Sequence, residues 1–294
     1  MKERPIELIF EEVRAQRQLT TEPGCRFVSN DIAMLYTIEP YKNNLPVMLR
    51  QPYRLREYRI ARVLKGTELY VINLTEYEVS EGDVIFCLPN DIIELRHISQ
   101  DCDFQMIAPS ERMMPDLPSI REMGLQQGVC FNLEASARQH ISAYFELLWA
   151  SLFRTPFNAG AVCHLLASLL FALKPLYEAH ETNSSTHLPR REEVFRQFLA
   201  LVNQYARTER NIDFYADRLF LSPHYLSGLV RETSGKTVMD WINRSVILEA
   251  KVLLKHSNLL TYQIADELNF PNPSFFSKFF KRMTGMTPGE YRNE

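Results

Sequence analysis

Within eight residues the chain sets out Ser274, Ser277, Lys278 and Lys281, two hydroxyls and two ammonium groups at spacings of three and four. At helical spacing such residues share a face, where hydroxyls can hydrogen-bond base edges and lysines can neutralise phosphates. Fifty residues earlier, His224, Ser227 and Arg231 stand at matching positions. Side chains of this kind read a duplex only if a rigid element carries them into a groove, so the elements around them must be sought.

Those elements come as a repeat. With Ala216 set on Ala265, Leu219 falls on Leu268, Tyr225 on Phe275, Leu226 on Phe276, Ser227 on Ser277, Leu229 on Phe279, Val230 on Phe280, Arg231 on Lys281, Gly235 on Gly285 and Trp241 on Tyr291. Each copy predicts a short helix (Ile212 to Leu219; Thr261 to Leu268), a tight break and a second helix. A capping residue and a proline open each second helix: Ser222 with Pro223, and Asn272 with Pro273. Two helices joined by so short a turn form a helix-turn-helix unit, whose second helix can enter the major groove. Periodicity assigns Phe275, Phe276, Phe279 and Phe280 to the buried face of copy two, and Tyr225, Leu226, Leu229 and Val230 to that of copy one. It leaves Ser274, Ser277, Lys278 and Lys281 outward in the second, and His224, Ser227, Gly228 and Arg231 in the first. Asn269 suits the left-handed turn between the helices, and Gly235 and Gly285 suit their ends.

The run Ile264-Ala265-Asp266-Glu267-Leu268-Asn269-Phe270, then Pro273 to Arg282, Gly285-Met286-Thr287-Pro288 and Tyr291-Arg292, resembles the signature of AraC/XylS-type transcription regulators. The resemblance implies that a long helix near Val238 to Lys255 joins the two units, which address successive major-groove segments on one face of double-stranded DNA. Two positions depart from the family pattern. Asn269 stands where glycine is usual, and Gly228 where a long basic or polar side chain is common. The second departure makes base reading by copy one weaker, or more dependent on His224 and Arg231.

Charge divides along the same line. Residues 190–294 hold 15 Lys and Arg against 12 Asp and Glu, which leaves 18 against 24 for residues 1–189. The basic part is the DNA part, and the acidic remainder discourages indiscriminate binding. The length and a 46% hydrophobic content allow two or three domains with sizeable cores. The N-terminus lacks a signal-peptide pattern. The apolar stretch Ala159 to Leu173, interrupted by His164 and Ser168, is too short to span a bilayer, so a cytoplasmic protein without a membrane partner is expected. Five cysteines with no CxxC spacing suit reduced, structural thiols.

Up to about Ser110 the chain is rich in short alternating segments: Ile32 to Ile38, Val47 to Leu49, Arg56 to Leu64, Glu68 to Leu74, Tyr77 to Val79, Val84 to Leu88, Ile92 to Ile98 and Phe104 to Ala108. Gly66, Asn73, Gly82 and Pro89-Asn90 punctuate them, which suggests an antiparallel barrel or jelly roll. The stretch Val63 to Gly66, Tyr70 to Asn73 and Val79 to Phe86 with Pro89 resembles a cupin half-barrel, the sensor domain of many such regulators. Cupin enzymes hold a metal with a histidine pair one residue apart, and Arg54 to Arg62 contains no histidine. His97 stands alone. No metal, no cofactor and no catalysis are therefore expected. Arg50, Arg54, Arg56, Arg59 and Arg62 suggest an anionic small-molecule ligand, with Arg54, Arg56, Tyr58 and Arg62 as candidate ligand-binding residues. A solvated edge or a ladder of ion pairs is the competing reading. Sequence does not decide whether Tyr58, Ile60 and Arg62 or Glu57, Arg59 and Ala61 face inward.

Asn132 to Phe153 and Asn158 to Ala179 predict two helices. The second is apolar almost all round, with Val162, Leu165, Leu166, Leu169, Leu170 and Leu173, so it needs cover beyond a thin barrel. A dimerisation interface centred on Leu166 and Leu170 is expected, with intramolecular core as the competing reading. The expected architecture is α+β and multidomain: a cupin-like β-barrel sensor over residues 1–110, a helical dimerisation element over 111–181, a linker over 182–189, and an all-α double helix-turn-helix domain over 190–294. The expected function is a sequence-specific transcription regulator binding double-stranded DNA as a homodimer and answering to a small-molecule effector, with RNA polymerase as a further candidate partner. A regulator without an effector is the alternative within the class. A cupin-type enzyme with an appended DNA-binding module is the alternative outside it, and the missing histidine pair argues against it.

Overall fold

The computed structural model describes residues 25–38, 49–114, 128–185 and 190–293, without side-chain placement over 181–185. Most of the expected strand at Val47 to Leu49 and the end of the expected linker, 186–189, lie outside them. The described residues form two compact units that meet in sequence at Ser184 and Ser185.

The first unit stacks two antiparallel sheets and a helical layer. One sheet orders its strands β1 (Arg26–Val28), β2 (Ile32–Leu35), β9 (Asp103–Pro109), β4 (Arg59–Lys65), β7 (Asp83–Cys87) and β10 (Val129–Asn132). The other orders β3 (Pro52–Arg54), β8 (Ile92–Ile98), β5 (Thr67–Ile72) and β6 (Thr75–Ser80). Strand alternation gives each face its partner. Ala61, Val63, Ile85 and Cys87 turn toward the smaller sheet, where they pack with Tyr53, Ile72, Val79 and Ile93. Their neighbours Ile60, Val84 and Phe86, with Ile107, turn the other way and pack beneath helices α1 (Ala135–Leu152) and α2 (Ala159–Ser185).

This packing corrects three expectations. Leu166 and Leu170 are not at an interface between copies: with Val162, Leu169 and Leu173 they are buried in the core shared by α2, α1 and the six-stranded sheet. The competing reading of that stripe, intramolecular core, is the one that fits. The helical segment is not separable at residue 110, because β10 pairs along β7 with Phe131 opposite Val84. The expected linker does not begin at 182, since α2 continues to Ser185 through Pro175. Its segment Ala159–His180 has the length and composition of a membrane span, longer than the stretch read from sequence. Closure over the sheet already accounts for its inward leucines.

The second unit is all helical: α3 (Arg190–Tyr205), α4 (Ile212–Arg218), α5 (Pro223–Ser234), α6 (Val238–His256), α7 (Thr261–Glu267), α8 (Pro273–Thr284) and α9 (Pro288–Asn293). The repeat persists down to individual hydrogen bonds. The Tyr225 N–H donates to Ser222 Oγ at 3.2 Å, and the Phe275 N–H to Asn272 Oδ1 at 3.0 Å, so both second helices carry the caps their sequences announce. Ser234 Oγ donates to the Val230 carbonyl at 2.7 Å, and Thr284 Oγ1 to that of Phe280 at 2.8 Å. Gly235 and Gly285 then close the helices at φ of 69° and 84°. Thr237 with Asp240 and Thr287 with Glu290 cap the helices that follow.

Candidate nucleic-acid interface

Each recognition helix is held by the helix before it and by α6. In copy two, Phe276 and Phe280 are buried against Ile264, Ala265 and Leu268 of α7 and its cap, and against Ile247, Ala250 and Leu254 of α6. In copy one, Leu226, Leu229 and Val230 are buried and α5 packs on α3, α4 and α6. The long helix serves both copies. The Trp241 indole N–H donates to Ser234 Oγ at 2.9 Å near its start, and Lys251 and Lys255 lie over the Tyr291 ring near its end. The turns between the paired helices place Phe220 and Asn269 at φ of 55° and 53°. Asn269 was expected there. Phe220 is its counterpart, and such a conformation is uncommon for a bulky residue.

A second connection fixes the two copies relative to one another. The loop between α3 and α4 is tied to the end of α7: Arg207 Nε donates to the Glu267 carbonyl at 3.1 Å, and its guanidinium pairs with the Glu267 carboxylate. Asn269 Nδ2 donates to the Thr208 carbonyl at 3.1 Å. Arg210 donates to the Leu268 carbonyl and stacks 4.0 Å from the Phe270 ring centroid. Burial pulls the Arg210 guanidinium below its usual value, which marks the desolvation this seat imposes.

On this frame the expected contact residues fall into two matching sets. His224, Ser227 and Arg231 are exposed on α5; Ser274, Lys278 and Lys281 are exposed and Ser277 half-buried on α8. Each set occupies the first two turns or so of its helix, the part that reaches base edges in helix-turn-helix proteins. Gly228 leaves open space where a side chain would stand, with nothing within 4 Å of a Cβ built there.

Two residues depart from the expected pattern. Tyr225 and Phe275 were assigned to the buried faces, yet they are 49% and 61% exposed, while Leu226 and Phe276 beside them are buried. Each exposed ring lies about 100° round the helix from the buried residue that follows it but only about 40° from Leu229 or Phe279 at the edge of the stripe, so an apolar count at helical spacing swept in flanking residues. The capping bonds were the signal that could have located them, because the residue three after the cap is set on the first turn.

The expected ligand residues do not converge. Arg62 turns toward the helical layer: Nε donates to Gln105 Oε1 at 2.8 Å, Nη2 to Ser142 Oγ at 2.9 Å, and the guanidinium lies over Phe145. Burial pulls it below its usual value. Tyr58 packs into the same helix-covered core. Arg54 reaches the Asn90 carbonyl at 3.3 Å from the other sheet, and Arg56 is exposed. The reason is the alternation of β4, which puts Ala61 and Val63 between the sheets and Arg62 outside them. What lies between the sheets is a different polar group. The Glu68 carboxyl, 1% exposed, accepts from the Cys102 thiol at 2.7 Å. Burial raises the Glu68 carboxyl and the Tyr70 phenol, and burial likewise raises the thiols of Cys87 and Cys130. Among the described residues no group of His, Cys, Asp and Glu is arranged to hold a metal.

A two-sheet domain joined in one chain to a paired helix-turn-helix domain defines a DNA-binding regulator with a separate N-terminal domain. The AraC-like ligand binding domain family matches residues 36–173, and a helix-turn-helix domain family matches residues 215–294. Among curated relatives, the HTH-type transcriptional activator RhaR of Escherichia coli (strain K12) is 26% identical over 254 residues, covering 79% of this chain and 83% of that protein. RhaR of Shigella dysenteriae serotype 1 (strain Sd197) is 25% identical over the same span. Of solved structures, unsaturated fatty acid bound ToxT from Vibrio cholerae strain SCE256 aligns over 90% of this chain and 95% of that chain, with 15% identity and a TM-score of 0.38. The DNA-binding domain of AdpA in complex with a target DNA aligns over 34% of this chain and 89% of that chain, with 21% identity and a TM-score of 0.32. The chain belongs to the AraC/XylS family of transcription regulators: it is a sequence-specific DNA-binding regulator with an N-terminal domain of the ligand-binding type.

Proposed function

We propose that the chain acts in the cytoplasm as a homodimeric regulator whose two helix-turn-helix units read successive major-groove segments, under the control of a small molecule held between the two sheets. His224, Ser227 and Arg231 contact one segment, and Ser274, Ser277, Lys278 and Lys281 the other. Some of these contacts fall on phosphate and position the protein; the rest read bases. The observation that carries this reading is the matched exposure of the two sets on helices locked together by α6 and by the Arg207–Glu267, Arg210–Leu268 and Asn269–Thr208 connections.

The effector part is supported by the buried Glu68, Tyr70 and Cys102 group. Glu68 Oε2 finds no hydrogen-bond partner among the described residues, and a polar atom kept between two sheets costs stability unless it is hydrogen-bonded or serves a ligand. Effector binding then shifts a population of arrangements and performs no chemistry on the ligand. The dimer is supported by the apolar groups that remain exposed on α1, α2 and their connection: Leu147, Phe153, Phe157 and Phe171. RNA polymerase fits as a partner because the curated relatives are transcriptional activators.

The test is a titration of full-length protein against a duplex recovered by selection from a random-sequence pool, with and without small metabolites from a cell extract. Tight selected binding whose affinity moves with the extract supports the whole reading. Tight binding indifferent to every fraction supports a regulator without an effector. No preference for the selected duplex over the starting pool contradicts the assignment of the contacts.

A further inference from the structure

Tyr225 and Phe275 are bulky, apolar and left in solvent on the two helices that face DNA, where periodicity placed them in the core. Each is the third residue of its helix, with its own N–H bonded to the cap. The backbone under each ring is therefore fixed at the same height of the same turn in both copies. On the exposed side Lys278, three residues on, is the neighbour of Phe275 on α8, and Gly228 is that of Tyr225 on α5. One turn further on, Gly228 offers no side chain and open space, so the Tyr225 ring supplies the bulk of that edge of α5.

The C5-methyl of thymine is the apolar group that the major groove presents, and apolar side chains recognise it by contact. We propose that Tyr225 and Phe275 are a matched pair of specificity residues, each packing on one thymine methyl, so that the two DNA segments share a T·A pair at the corresponding step. The proposal rests on the reading of α5 and α8 as recognition helices. Repetition argues for the duplex over a protein partner: two successive groove segments present the same chemistry twice, whereas a protein docking on this unit has no reason to meet the same position of both copies.

Replacing thymine by deoxyuridine removes the methyl and leaves pairing intact. With full-length protein and the selected duplex, thymines are replaced one at a time. The expected result is one sensitive position in each segment, with a loss of about fourfold, as for one methyl-sized group returned to water. Phe275→Ala abolishes the sensitivity in one segment and Tyr225→Ala in the other, while Tyr225→Phe keeps it. Both rings are exposed, so circular dichroism should report unchanged folding; the Phe variant, which retains the ring, guards against any loss of fold.

Three results overturn the proposal: no thymine in either segment is methyl-sensitive, the Ala variants keep the deoxyuridine penalty, or they lose affinity equally on selected and random DNA. The last would place the rings on sugar and phosphate. Failure of the wild-type protein to prefer the selected duplex would instead overturn the underlying assignment of the recognition helices.

Discussion

The Asn269 side-chain amide donates to the Thr208 carbonyl at 3.1 Å, which joins the turn of the second helix-turn-helix unit to the loop that precedes the first. Asn269 holds φ at 53°, a conformation glycine adopts freely, so Asn269→Gly removes the bond without straining the turn. A neutral hydrogen bond contributes about 1 kcal/mol, and the exposed Arg207–Glu267 pair adds about 0–1 kcal/mol. The variant should stay folded with stability lowered by about 1 kcal/mol. It should also tolerate a one-base-pair insertion between the two DNA segments better than wild type. Electrophoretic titration on both duplexes measures this; identical insertion penalties for the two proteins would show that this bond does not set the spacing.

Lys278 and Lys281 are both exposed on α8, three residues apart. With Lys278 at a base edge and Lys281 at phosphate, Lys278→Ala should relax preference at one base position, at a cost of roughly 1–3 kcal/mol. Lys281→Ala should weaken all sequences alike and flatten the salt dependence. Equal losses on selected and random DNA for both variants would contradict the assignment.

Leu166 and Phe171 separate core from surface on α2. Leu166 is buried in the shared core and Phe171 is 55% exposed. A charge at position 166 has no partner, so Leu166→Asp should unfold the first unit by more than about 3 kcal/mol. Phe171→Asp should leave the fold intact and convert a dimer into monomers by light scattering. A Phe171→Asp protein that remained dimeric would move the interface elsewhere.

The duplication, the caps and the turn at Asn269 were legible because each is written in neighbouring residues: Ser222-Pro223, Asn272-Pro273, Gly235, Gly285. What escaped the sequence depended on distant neighbours. An apolar stripe on α2 does not name its cover, and Val162 to Leu173 found it in Ile60, Phe86 and Ile107 rather than in a second chain. The alternation at 58 to 62 was visible, but which face looked inward was set by where α1 lies. Strand β10 is four residues long and, among the described residues, joins the sheet only through its pairing with β7. Tyr225 and Phe275 were misplaced because a helix flank shares the spacing of its core.

Glu68 gives the first unit a pH signature. Burial holds its carboxyl above the usual range, so over a window above the unfolded value of about 4.3 the folded state keeps a proton the unfolded chain has lost. Stability from this group is therefore present on the acid side of the window and falls as pH rises toward the folded value. Glu68→Gln can still accept from Cys102 and should be more stable than wild type above that window, with a shallower decline across it. Urea unfolding followed by tryptophan fluorescence across that range measures it. A wild-type slope in the variant would assign the decline to Asp91 or Glu57, whose carboxyls burial also raises.

If one chain reads two groove segments as a rigid pair, base-pair insertion between those segments should break the match. The full-length protein is titrated on the selected duplex and on versions carrying five or ten additional base pairs between the segments. Ten base pairs restore the helical face but add about 34 Å, more than a locked pair of helices can bridge. Each lost base-pair contact costs about 1–3 kcal/mol, so both insertions should weaken binding by roughly 100-fold. Full affinity on the ten-base-pair insertion would show that the two units engage DNA independently, and would contradict the account.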